Sequence, residues 1–259
     1  MDSLPNLEVV RTARHAATLR ADDGAAEDTL GKLEVRFSKF GQWYEIRSVW
    51  EGHFLERVMP GAFAKTIADN SGRIRALFNH GFDPSVGQKV LGPVVGLRED
   101  SDSPVMEVDL LDTSYNRDLL PGLRCGLYGS SMRMRVKEES WDDAPPKSKH
   151  NPDGIPERSV LQVAVDEAGP VTFPANPGST AAMRSGTDAY YEQLRTLDPG
   201  MVDELERSLR SLPPEAAPER TSEEAATNQP SAPAQGHPVG MSAGERRQRL
   251  HLSQKGHAQ

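Results

Sequence analysis

The strongest constraint on this chain is a series of short apolar runs with a period of two, each closed by glycine, proline or aspartate. Residues 33–37 (Leu-Glu-Val-Arg-Phe) alternate, and residues 43–49 (Trp-Tyr-Glu-Ile-Arg-Ser-Val) are rich in strand formers. Residues 105–111 and 160–165 have the same character. Side chains alternate across a strand, so runs of this kind bury one face. Many short strands between turn residues indicate a mainly β fold, an antiparallel sheet or barrel with flanking helices. Two helical stretches interrupt the strands. One is residues 62–68, after Pro60 and Gly61. The other begins at Ser114 or Asn116, and Pro121 and Gly122 are expected to end or kink it.

Composition divides the rest. The 259 residues suffice for one sizeable domain with appendages. Residues 1–30 are polar and read as a loose leader, and residues 31–185 hold nearly all the strand patterns. Residues 186–212 are helical by spacing: Tyr190, Leu194, Leu197, Met201, Leu205, Leu209 and Leu212 recur at threes and fours, with Pro199 and Gly200 between two halves. Residues 213–259 are rich in Pro, Ala, Glu, Ser and Gln. Such a segment buries too little apolar surface to offset its chain entropy and is expected to be disordered. Its basic-apolar stretch at 244–252 is either a docking segment or plain solvated tail.

Several function classes are excluded at this level. The net charge of −8 provides no general basic field for nucleic acid. No apolar run approaches the roughly 20 residues that span a bilayer, and the first residues lack the regions of a signal peptide. The single cysteine, Cys125, excludes an intrachain disulfide, fits a reducing compartment, and reads as a small buried residue rather than a nucleophile. There is no paired-cysteine motif, no His-Glu-x-x-His and no phosphate-binding glycine loop, so no metal or cofactor is expected.

Two residues carry candidate chemistry. Residues 74–80 (Ile-Arg-Ala-Leu-Phe-Asn-His) read as an apolar strand ending in His80, before the turn at 81–84. Residues 128–136 (Tyr-Gly-Ser-Ser-Met-Arg-Met-Arg-Val) read as a strand headed by two serines. A serine hydroxyl needs a base to take its proton, and neutral imidazole is the usual one. Alternation separates the serines. Ser130 shares an apolar face with Met132, Met134 and Val136, whereas Ser131 shares the opposite face with Arg133 and Arg135. Positive charge beside a nucleophile favours an anionic intermediate, which selects Ser131. The same pattern also describes an amphipathic strand with solvated arginines. Of the seven histidines, only His53 and His80 border patterned segments, and a capping or surface role for His80 stays open. Acidic partners for an imidazole are Asp166 and Glu167, after the 160–165 run.

Four segments, in order, resemble the prohead maturation serine proteases of tailed bacteriophages. Residues 56–63 (Glu-Arg-Val-Met-Pro-Gly-Ala-Phe) match an E-x-x-x-P-G-A-F element. Residues 77–80 (Leu-Phe-Asn-His), with Leu91 and Gly92 later, resemble the histidine motif. Residues 129–134 (Gly-Ser-Ser-Met-Arg-Met) resemble the serine motif. Residues 165–175, containing Val-Thr-Phe-Pro-Ala, resemble the closing element. The resemblance implies His80 as base, Ser131 as nucleophile, Glu167 as third member, and Arg133 or a main-chain N–H at the oxyanion. It implies a herpesvirus-protease-like antiparallel β-barrel of seven strands. It also implies activity inside the immature capsid, in the host bacterial cytoplasm, on the scaffolding segment of the major capsid protein and on the protease itself. Self-association is left open. Gly81 stands where the family often has Asp, and Met132 and Met134 replace aromatics, which bears on the substrate pocket. The alternative is a non-catalytic scaffolding factor on the same fold. A further expectation is that residues 246–252 tether the enzyme to capsid protein.

Overall fold

A computed structural model of the chain describes residues 7–13, 17–20, 28–69, 73–172 and 183–211. The strands are β1 (Val9–Ala13), β2 (Thr18–Arg20), β3 (Thr29–Arg36), β4 (Tyr44–Ser48), β5 (Gly52–Val58), β6 (Arg75–Ala76), β7 (Val94–Glu99), β8 (Pro104–Leu111), β9 (Gly129–Asp142), β10 (Glu157–Val171) and β11 (Met183–Ser185). The helices are α1 (Ala64–Asp69), α2 (Ser114–Arg124), α3 (Thr187–Leu197) and α4 (Pro199–Ser211).

The described strands form two sheets. One has the order β11-β1-β9-β10-β5-β4, with β6 also pairing β10; the other has the order β2-β3-β8-β7. Pairing is antiparallel except that β10 runs parallel to both β5 and β6. The fold is therefore mainly β with helices, as expected, but the closed antiparallel barrel is not found among the described residues. The end strands β4 and β11 approach each other without a ladder between them. Period two marks which face a run buries but says nothing of which edge it meets, so closure was not readable from the pattern. One connected core joins both sheets, with Phe37, Phe63, Met106, Leu110, Met132 and Met134 all fully buried.

Several expectations change. The polar leader contributes β1, buried along its whole length, and β2. β1 escaped notice because Arg11 breaks its apolar run; the charge is neutralised inside the protein. Arg11 Nε donates to Glu56 Oε1 (2.6 Å) and its Nη2 to Glu51 Oε2 (2.5 Å), all three side chains being almost wholly buried. Arg158 and the Tyr44 hydroxyl also donate to Glu56. Burial opposes charge on Glu56, yet Arg11 and Arg158 outweigh it and hold its carboxyl at about 2. Glu56 opens the E-x-x-x-P-G-A-F element. Near its end, the backbone N–H groups of Gly61 and Phe63 donate to the Glu99 carboxylate (2.8 Å each), which satisfies donors ahead of α1.

Pro121 does not end α2, which continues to Arg124; the Pro121 carbonyl accepts from Cys125 N–H (3.1 Å). Cys125 is exposed at the C-cap rather than buried. Met132 and Met134 fill the core rather than lining a substrate pocket. The expected disorder of 213–259 and the tether at 246–252 lie outside the described residues.

Candidate active site

β9 presents the serines as alternation indicates. Ser130 faces the core, where its hydroxyl donates to the Arg36 carbonyl, whereas Ser131 faces the other way. Ser131 is opposite Thr12 of β1 on one side and Gly169 of β10 on the other.

His80 arrives by a path the sequence did not suggest. The expected strand over 74–80 is only β6, two residues long. The chain then enters a turn in which Asn79, His80 and Gly81 all have positive φ (47°, 58° and 80°). That conformation is uncommon for residues with a Cβ, and tertiary contacts hold it. Asn79 Nδ2 donates to the Thr172 hydroxyl (3.0 Å), and Thr172 N–H donates back to Asn79 Oδ1 (2.9 Å). Gly81 accounts for one departure from the family pattern: at φ 80° with Gln88 Cγ 3.2 Å from a notional Cβ, a side chain would be strained.

Gly169 provides the crossing point. A Cβ there would lie 1.8 Å from the Leu77 carbonyl oxygen. Only a residue without a side chain allows the 77–80 segment to pass over β10 and set His80 above Ser131.

Glu167 depends on a bulge. Val163 and Val165 face the core, and simple alternation would put Glu167 with them. The β9–β10 ladder instead shifts register between Val165 and Glu167, leaving Asp166 extra. Glu167 is thereby paired with Arg133, on the Ser131 face. Asp166 bonds Arg135 and takes no part in the site.

The three groups form a continuous line. His80 Nε2 lies 2.8 Å from Ser131 Oγ, and His80 Nδ1 lies 2.6 Å from Glu167 Oε2. A carboxylate only accepts, so Nδ1 is the ring nitrogen that donates to Glu167, an arrangement in which a neutral imidazole turns its acceptor nitrogen to the serine. Glu167 is 1% exposed in its side chain, and its Oε1 is buried without a hydrogen bond among the described residues. Its charge is therefore directed mainly at the imidazole. Ser131 Oγ has two more neighbours: the Arg11 carbonyl, to which it can donate (3.1 Å), and Thr12 Oγ1 (3.3 Å).

Arg133 does not reach into this line. Its Nη1 donates to the Tyr190 hydroxyl (2.6 Å), and its Nε is 3.6 Å from Glu8. Burial lowers the guanidinium's proton affinity, but Tyr190, Glu8 and Glu167 raise it further, so it stays charged. Of the other described histidines, His53 binds Glu45 (2.6 Å) and His150 binds Glu157 (2.8 Å) while stacking on Trp43. Among the described residues no cluster of potential ligands could hold a metal. No helix there is long and apolar enough to cross a membrane.

Sequence reasoning missed Thr12, Gly169 and the bulge at Asp166. The family model of the caudovirus prohead serine proteases matches residues 16–193. The chain belongs to that family. Among solved structures it is similar to the capsid assembly protease of bacteriophage T4, with 10% identity and a TM-score of 0.33, over 55% of this chain and 98% of that one. No curated protein matches the sequence.

Proposed function

We propose that the chain is a serine endopeptidase that works by acyl transfer through Ser131, His80 and Glu167. The carrying observation is the imidazole bridging a serine hydroxyl and a buried carboxylate at 2.8 and 2.6 Å. As Oγ attacks a peptide carbonyl, its proton passes to His80 Nε2. Glu167 holds the ring in the tautomer with Nδ1–H and balances the imidazolium. His80 then protonates the leaving amine, and a water activated by the same base releases the acyl group. Arg133, two residues along the same face, provides positive charge toward the oxyanion, with main-chain N–H groups as direct donors. Ser131 is fully buried, so a peptide has to displace part of the covering surface to reach Oγ.

Membership of the prohead serine proteases supports a substrate among capsid components. We assign cleavage of the scaffolding segment of the major capsid protein, and of the protease itself, within the prohead. Co-expression with the cognate capsid protein is the test. Ser131→Ala should abolish shortening of the capsid protein and of the protease, by intact mass, while Ser130→Ala keeps the triad. Capsid assembly around an uncleaved capsid protein with the unmodified enzyme would favour the non-catalytic scaffolding reading.

A further inference from the structure

Two acceptors and one hydroxyl surround a nucleophile that owns a single proton. Ser131 Oγ can donate to His80 Nε2 at 2.8 Å or to the Arg11 carbonyl at 3.1 Å, but not fully to both. Donation to the carbonyl leaves the base without its proton. Thr12 Oγ1, 3.3 Å from Ser131 Oγ, is the third neighbour. Its position follows from the ladder: Thr12 is directly opposite Ser131, so both side chains rise on the same face of the sheet. Thr12 is only 7% exposed, which keeps the pair largely dry. The next strand, β11, pairs with β1 at Thr12, fixing its backbone from the other side.

We infer that Thr12 is a catalytic residue that donates its hydroxyl proton to Ser131 Oγ. The inference rests on Ser131 being the nucleophile. Thr12 O–H pointing at Oγ occupies one lone pair and leaves Ser131's own proton for His80. As that proton departs, negative charge grows on Oγ, and the Thr12 hydrogen bond becomes charge-assisted. The charge falls when Oγ bonds to the acyl carbon. It returns when Oγ becomes the leaving group in hydrolysis of the acyl-enzyme, so one donor assists both halves of the reaction. Thr12 keeps its own proton throughout, and nothing besides peptide and water is consumed.

The experiment compares Thr12→Val, which keeps the shape without the hydroxyl, with Thr12→Ser, which keeps the hydroxyl. Two readouts are taken: cleavage of capsid protein, and the rate at which a small fluorophosphonate labels Ser131. A hydrogen bond to a charged partner, at about 1.5–3 kcal/mol, corresponds to roughly 10- to 100-fold in rate. Thr12→Val should lose about that factor in labelling rate and in kcat, with KM within about twofold and the thermal midpoint kept. Thr12→Ser should recover most of it. Equal labelling of wild type and Thr12→Val overturns the assignment, and so does a Thr12→Ser variant as slow as Thr12→Val, which would mark a packing role. If Thr12→Val does not fold, Thr12→Ala takes its place in the same comparison. A wild type that neither cleaves capsid protein nor labels at Ser131 overturns the nucleophile reading itself. A reactive wild type with an equally fast Thr12→Val overturns only the role of Thr12.

Discussion

Gly169 stands beneath the crossing of the histidine segment, and a single methyl group there is intolerable. Gly169→Ala would drive the Leu77 carbonyl away from 1.8 Å and lift His80 off Ser131. We expect a fall in kcat of at least about 100-fold, because a misplacement near 1 Å is enough to cost that much. We also expect a stability loss of about 1–3 kcal/mol from overpacking. Capsid-protein cleavage and a urea melt measure the two effects. The role of glycine here was not legible in the sequence, since it depends on a segment 92 residues earlier, at Leu77, passing overhead. Which of Ser130 and Ser131 turns away from the core was legible, because alternation within one strand is a local property. His80 was identifiable as a residue but not as a conformation: its left-handed turn is held by Asn79 and Thr172, partners far apart in the chain.

At the scale of elements, β1 and β10 decide the site. β10 carries the bulge that turns Glu167 out of the core, and one extra residue in a ladder leaves no mark on an apolar pattern. Counting by twos from Val165 would have pointed the carboxylate to the Met134 side of the sheet, away from Ser131. β1 lines the serine with Thr12 and the Arg11 carbonyl, yet its sequence reads as a polar leader because its central residue is an arginine. What makes Arg11 buriable is Glu51 and Glu56, both supplied from elsewhere. Removing one partner of such a group leaves charge unpaired in the interior. Glu56→Gln should therefore destabilise the protein by about 3–5 kcal/mol, measured by chemical denaturation. It should also weaken β1 enough to lower activity in the fraction that remains folded.

The whole molecule inherits an acid limit from the same network. Glu56 has its carboxyl lowered from 4.5 to about 2 in the fold. Between those values the unfolded chain binds a proton that the folded chain refuses, so stability declines as pH falls. The contribution is complete above about pH 5 and lost toward about pH 2, and it is worth on the order of 3 kcal/mol. Denaturation midpoints measured from pH 6 down to pH 2.5 should trace this loss, and Glu56→Gln should show a shallower acid slope. The ladders also impose an order on synthesis. Thr12 meets Ser131 across 119 residues, Arg11 meets Glu51 across 40, and Val10 N–H meets the Thr187 hydroxyl across 177. A ribosome releases β1 first and its last partner late, and pairings this distant form slowly. On the proposed chemistry, a half-made chain holds the His80 base without Glu167 and a first strand with neither β9 nor β11 complete beside it. On that chemistry, Ser131, His80, Glu167 and the Thr187 anchor of β1 coexist only after residue 187 is made, so cutting by the nascent protease is expected to wait until then.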